Sequence, residues 1–499
     1  MNYDTSSQFE NKEFKEILNT YEESVRNKSS VYLDADKFID IAQYYIENNR
    51  DEEAQQAYDM GLSIHPNDTD ILVYKTYNTI QNGDLEKAYQ IYDLIEDKDN
   101  RDVKNLKALL LIVENRLEEG DRIFEEIAKE DNYSVDTLTE ILANYIDFGI
   151  EDLASKWLSF IREKGYDYTK NERLTEVLSN YYLTFDDYDQ AIPLLKKLID
   201  KHPYTINYWI ELANCYVKES RFAEADEALD YALAINDKEP SVLELKGGCS
   251  FEKNDYQKAE EYYLRLEKID SNKPKVWYYL AKVYSNMGRK DKTIEYSFKI
   301  VDSRDASDYI RSLAYHDLAN LFGYAHRFKK GLDFIEKAIK LNKDNPAFYV
   351  TKGCLQILRK EKEQGRESFI KAIHTIHKGN KEEEFSIWMM IATSFFDTGM
   401  YKDAIKIFEK IEKKYADKNQ HCYLFLAYCN YRIKNFLNCT HYLALLKNAE
   451  PQLYDQLGTD NDPIGDPNFS ESVSSIKRDV ALGKIDLSTF EDMNNLWNL

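Results

Sequence analysis

Nine prolines and seventeen glycines in 499 residues leave too little punctuation for an all-β chain with its many tight turns. Cysteine is scarce as well. Six in a chain of this length, with Cys215, Cys249 and Cys354 widely scattered, do not make a disulfide framework and read as reduced, buried small residues. Long apolar runs are missing, since the densest, Ala108 to Val113, is far too short to span a bilayer. The first residues, MNYDTSSQFENKEF, lack the basic start and apolar stretch of a secretory signal, so the chain is expected in the cytoplasm. Basic charge is outnumbered: 66 Lys and Arg face 89 Asp and Glu, a formal net of −23. Such a surface repels phosphate backbones and anionic headgroups, which makes nucleic acid and membrane poor partners and a basic polypeptide a better one. Few Gly and Pro beside abundant Asn, Lys, Ile and Tyr point to an AT-rich coding sequence of bacterial type.

What is present is helical material: 43% hydrophobic and 31% charged residues, patterned three and four apart. The length exceeds the roughly 250–300 residues at which a single core stops growing, so an open-ended array is expected. A period is visible. Trp209, Leu212-Ala213, Tyr216, Ala225, Leu229 and Ala232 recur at the same offsets as Trp277, Leu280-Ala281, Tyr284 and Ile300, and as Trp388, Ile391-Ala392, Phe395, Ala404, Phe408 and Ile411. Aligning two small-residue columns places unit starts near 35, 69, 101, 135, 172, 206, 240, 274, 312, 346, 385 and 420, twelve units in all. The first column, position 8, holds Ala42, Ala108, Ala213, Gly247, Ala281, Ala319, Gly353, Ala392 and Ala427. The second, position 20, runs from Ala54 and Ala88 to Ala404 and Cys439. Small side chains there let two helix backbones approach, and spacings longer than 34 are expected to swell the connecting loops. Gly83, Gly149, Gly288 and Gly399 share position 15, where a left-handed residue would end the first helix of a pair.

These residues resemble the tetratricopeptide repeat, an aromatic followed by Leu-Gly/Ala, Tyr, Ala, Phe and Ala. The third and fourth units depart from it, with Lys104 and Leu138 in place of the aromatic. The resemblance implies an all-α, right-handed superhelical solenoid of about twelve helix-turn-helix repeats with terminal capping helices. Residues 1–34 would be an N-terminal capping helix carrying Phe14, Ile17, Leu18, Tyr21 and Val25, residues 35–450 the array, and 451–499 an acidic tail with short capping or docking helices. In that tail Asn461 to Phe469 reads as loop, followed by helices near Glu471 to Leu482 and from Ser488. It would either cap the array or dock in a groove through Phe490 and Trp497.

The resemblance also implies a function: a non-catalytic adaptor or scaffold that holds a protein or peptide in its concave groove. The alternative is a regulatory or structural subunit whose groove is occupied by its own tail. In the family, positions 2, 5, 9 and 12 of the first helices face the ligand. Carried over, this selects Asn180, Asn214, Lys282, His316, Asn320, Met389, Phe396, Tyr428 and Tyr431, polar in the middle and aromatic towards the C-terminus. Amides at Asn180, Asn214 and Asn320 suit an extended peptide backbone, because each offers both a donor and an acceptor. The carboxylate clamp for chaperone C-termini does not match, because Asn214 is paired with Ile210 and followed by Ser241 and Leu245. No phosphate-loop, dinucleotide, zinc-protease or nucleophile-elbow motif occurs, so no catalytic residue and no cofactor is expected. His421, Cys422, Cys429, Cys439 and His441 lack the close pairing of a structural zinc site, and no metal is expected there.

Overall fold

The computed structural model describes residues 9–490, apart from residues 10, 28, 49, 169, 271, 377–379, 416, 417 and 419. Those residues form 27 α-helices and one short 3-10 helix, and no strand is present among them. The helix Lys12–Arg26 comes first, capped by Asn11 and burying Phe14, Leu18 and Tyr21. Twelve pairs follow, from Ala35–Glu47 with Asp51–Ile64 to Gln420–Arg432 with Phe436–Ala449. Second helices pack on the first helix of the following pair, as Tyr188–Lys201 does on Ile206–Lys218 and Tyr401–Lys414 on Gln420–Arg432. The chain divides into two compact units, residues 1–237 and 238–499, with six pairs in each.

The small columns meet inside each pair. Ala42, Ala108, Ala213, Ala281, Ala319, Ala392 and Ala427 are at most 1% exposed, as are Ala54, Ala88, Ala154, Ala191, Ala225, Ala259 and Ala404. Contact is close where both columns hold glycine: a Cβ on Gly365 would stand 2.9 Å from the carbonyl of Gly353, and one on Gly353 would stand 2.5 Å from the Phe369 ring. Backbone meets backbone there, and overpacking costs roughly 1–3 kcal/mol.

All twelve turns inside the pairs are built alike. The backbone N–H at position 16 donates to the carbonyl at position 11 over 2.7–3.2 Å, from Arg50 to Tyr45 through to Asn435 to Asn430. This is the Schellman closure, and it needs a left-handed residue at position 15. Gly83, Gly149, Gly288 and Gly399 meet that need, with φ of 66–78°. So do Asn115, Asp186, Ser220, Asn254, His326, Lys360 and Lys434, whose φ lies between 55 and 70° although a side chain is costly there. The hydrogen bond, rather than glycine, is the common feature.

Three differences from the sequence-based expectation are local. The long spacings before the ninth and eleventh pairs go partly into helix rather than loop, since Asp308–Tyr324 and Lys381–Asp397 each start about one turn early. Only the 37-residue spacing before Glu172–Thr184 lengthens a linker, residues 164–171. In the tail, the helix Pro467–Ala481 begins inside the stretch expected as loop, because Asp466 accepts from the N–H groups of Asn468 and Phe469 and Pro467 takes the first helical position. The Ser488 segment is a 3-10 turn, Leu487–Phe490, and Trp497 lies outside the described residues.

Candidate peptide-binding surfaces

In the unit of residues 1–237 the candidates Asn180 and Asn214 stand beside acidic side chains. Asn180 is half-buried on Glu172–Thr184, and Asn214 is exposed on Ile206–Lys218. On the same two helices, the Tyr208 hydroxyl donates to Glu176. Glu211 stands near that carboxylate, and its own carboxyl is raised to about 7, first by burial and then by the charge of Glu176. This face offers acceptors and negative charge.

In the unit of residues 238–499 the polar candidates are engaged with one another. Lys282 Nζ donates to Asp317 Oδ1 at 2.9 Å, linking one first helix to the next. His316 Nε2 lies 2.8 Å from Thr351 Oγ1 and 3.3 Å from Asn320 Nδ2. Burial depresses the imidazole to about 4, so at neutral pH it is uncharged and Nε2 can accept from the Asn320 amide, while the Thr351 hydroxyl can donate to Asn320 Oδ1 at 3.4 Å. Asn320 therefore already spends an amide hydrogen inside the fold, unlike exposed Asn214.

The apolar and aromatic candidates divide in two. Phe396, Tyr428 and Tyr431 belong to a ring cluster: Phe396 is 5.4 Å from Tyr428, and Phe469 is 5.1 Å from Tyr428 and 5.2 Å from Tyr431. Phe469 is fully buried, and Tyr428 is only 6% exposed. The tyrosine hydroxyl donates to Asp466 Oδ2 at 2.8 Å, the same residue that caps the tail helix. The tail thus covers Tyr428 and Tyr431, through Phe469. Phe490 instead packs with the last second helix, its carbonyl on His441.

Met389 stays open. It lines a cavity of about 810 Å³ with Phe385, Leu424, Phe425 and Leu453, flanked by Glu382, Lys418, His421 and Glu450. The walls come from positions 1, 2, 5 and 6 of the last two first helices and from Pro451–Gln456, which places the Leu453 side chain opposite Met389. Lys418 is paired with Glu382, leaving Glu450 as rim charge 3.9 Å from His421. Leu424 was legible from its position 5, whereas Leu453 and Phe469 lay beyond the last repeat, where no period marks them.

Cys422, Cys429 and Cys439 are core residues whose thiols burial raises to about 12, and a protonated thiol is a poor metal ligand. Among the described residues no three His, Cys, Asp or Glu side chains converge on one point. Among them, too, no helix is long and apolar enough to cross a membrane.

Paired helices, small columns at positions 8 and 20, and a left-handed residue closing eleven of the twelve first helices among the described residues define an all-helical repeat protein. Two tetratricopeptide repeat family models match the chain, at residues 182–249 and 387–418. Over those residues the chain carries tetratricopeptide repeats. It is 19% identical over 252 residues to anaphase-promoting complex subunit 3 of Schizosaccharomyces pombe, covering 50% of this chain and 37% of that one. It is 26% identical over 255 residues to a TPR repeat-containing protein of Methanocaldococcus jannaschii, covering 47% and 43%. The chain spans less than half the length of either relative. A tetratricopeptide repeat protein from Parabacteroides merdae superposes with a TM-score of 0.43 at 14% identity, over 52% of this chain and 99% of that one.

Proposed function

We propose that the chain is a non-catalytic adaptor or scaffold that holds a polypeptide on the first-helix faces of residues 35–450, with residues 1–34 and 451–499 serving as its ends. Proteins of this repeat class generally mediate protein–protein interaction. The observation that carries the finer reading is the open cavity at Met389, apolar in its walls and with the Glu450 carboxylate at its rim. A cavity of this kind accepts one apolar anchor of a peptide while charge at the rim selects what flanks it. The favoured ligand is a peptide with a Leu, Met or Phe anchor beside Lys or Arg, in keeping with a net charge of −23. In the other unit, Asn180 and Asn214 would hold an extended backbone through their amides, and Glu176 and Glu211 would favour basic residues.

A second reading is favoured by Phe469. Because the tail covers Tyr428 and Tyr431, that part of the surface would serve assembly of the chain itself, and recruitment would run through the rest.

Panning a random-peptide display library on the full chain tests the proposal. Apolar-anchored basic peptides should be enriched, and Leu424→Arg or Met389→Glu should weaken them by more than about tenfold, as loss of an anchor pocket does. Peptides that bind these variants and the wild type equally would remove the cavity from consideration.

A further inference from the structure

The long linker of residues 164–171 does more than join two pairs. A cavity of about 350 Å³ lies between it, the helix Glu151–Glu163 and both helices of the next pair, Glu172–Thr184 and Tyr188–Lys201. That size is at the lower end of small-molecule sites, roughly 300–1,000 Å³. Its floor is apolar, made by Leu158, Leu174, Leu178 and Leu194, all at most 7% exposed. The linker wall is held in place: the Tyr166 hydroxyl donates to the Tyr133 carbonyl at 2.6 Å, and Thr175 donates to the Tyr168 carbonyl at 2.5 Å.

Two cations enter this cavity, and among the described residues no carboxylate lines it. Lys197 Nζ is sealed from solvent and makes no hydrogen bond; the nearest compensation is the Tyr168 ring, 5.6 Å away. Arg162, at the exposed mouth, donates only to the Tyr182 hydroxyl, at 2.5 Å. In a chain with 89 acidic residues to 66 basic ones, a lined space with two bases and no acid runs against composition. A buried ammonium without an acceptor is costly, and an anion brought from outside supplies the missing partner.

We infer that this cavity binds a small organic monocarboxylate: its carboxylate pairs with Lys197, Arg162 screens the mouth, and an apolar body rests on the leucine floor between Tyr168 and Tyr182. One buried ammonium matches one negative charge, whereas a phosphate dianion would bring a second charge into a leucine-lined space. The site lies in the unit of residues 1–237 and stands or falls independently of the peptide cavity at Met389.

Calorimetric titration of the full chain with 4-phenylbutyrate, and with 4-phenylbutanamide as its neutral twin, tests this. The acid should bind at least about tenfold tighter than the amide, the effect of one charge-assisted hydrogen bond out of water. Lys197→Met should abolish that preference and leave the thermal midpoint of the unliganded protein equal to or above the wild type, because an unpartnered cation has been removed. Arg162→Gln, at an exposed position, should weaken the acid several-fold without changing the fold. Equal binding of acid and amide overturns the inference, as does a Lys197→Met protein that keeps the preference. A lowered thermal midpoint in Lys197→Met would assign the lysine to the fold and overturn it too. So would an Ala-Ala-Phe peptide with a free C-terminus that binds tighter than phenylbutyrate, by assigning the carboxylate to a chain end.

Discussion

The two compact units contain six helix pairs each, closed by the same turn, yet the candidate residues on their first helices differ in chemistry. In residues 1–237 the helices Glu172–Thr184 and Ile206–Lys218 present amides and carboxylates, with Asn214 exposed and Glu211 raised to about 7 by burial beside Glu176. Residues 238–499 tie their polar groups to one another, as Lys282 to Asp317 and His316 to Thr351, and bring up an aromatic surface that the tail partly covers. A common backbone therefore leaves the facing positions free to vary, and burial on a first helix pushes an acid up in one unit and a base down in the other. The repeat supplies a frame; what it holds depends on side chains that the frame does not constrain.

Removing the tail's anchor should mark the contrast most strongly. Phe469→Ala takes a fully buried ring from between Tyr428 and Tyr431, and such truncations cost about 3–5 kcal/mol. Hydrogen exchange should rise along Gln420–Arg432 and stay unchanged along Ile206–Lys218; a uniform rise would mean that the units do not respond separately.

The opposite titrations should be nearly as large. Glu211 keeps its proton up to about 7 when folded but releases it near 4.5 when unfolded. The folded state thus binds the extra proton between those values, and stability falls by about 2–3 kcal/mol as pH rises through that window. His316 runs the other way: unfolded it takes a proton near 6.5, folded only near 4, so stability falls by a similar amount as pH drops from about 6.5 to 4. In urea unfolding, Glu211→Gln should exceed the wild type at pH 8 and equal it at pH 4.5. His316→Gln should gain on the wild type as pH falls from 7 to 4. Variants that shift in the same direction with pH would break the comparison.

The smallest effect concerns what the units share. Lys360 and Lys434 occupy left-handed backbone that glycine adopts without cost, so Lys360→Gly and Lys434→Gly should each stabilise by about 0.5–1 kcal/mol. Gly149→Ala, in open space at φ 66°, should destabilise by about 1 kcal/mol. Thermal midpoints would show both signs, and no change in either would mean that the turn tolerates any residue.

Period, pairing and the two small columns were legible because they are local or repeated: spacing of three and four, a fixed offset, an alanine that recurs. The glycines of position 15 were legible for the same reason. Lys360 and Lys434 were not, because nothing in a lysine announces a positive φ; the hydrogen bond from position 16 to position 11 imposes it. Asp466-Pro467 did carry a helix-start signal, an N-cap residue followed by proline at the first helical position, and the surrounding Asp, Asn and Gly masked it.

By itself the sequence determined the tetratricopeptide array, its phase and its acidic surface, since each follows from composition or from contacts within one repeat. Only the tertiary structure decided that Phe469 rather than Phe490 covers Tyr428 and Tyr431, that Asn320 is engaged while Asn214 is exposed, and that Lys197 lies sealed in a cavity without an acid. These depend on which side chains meet across repeats and on what a lengthened linker leaves open, and a period along the chain carries no record of either.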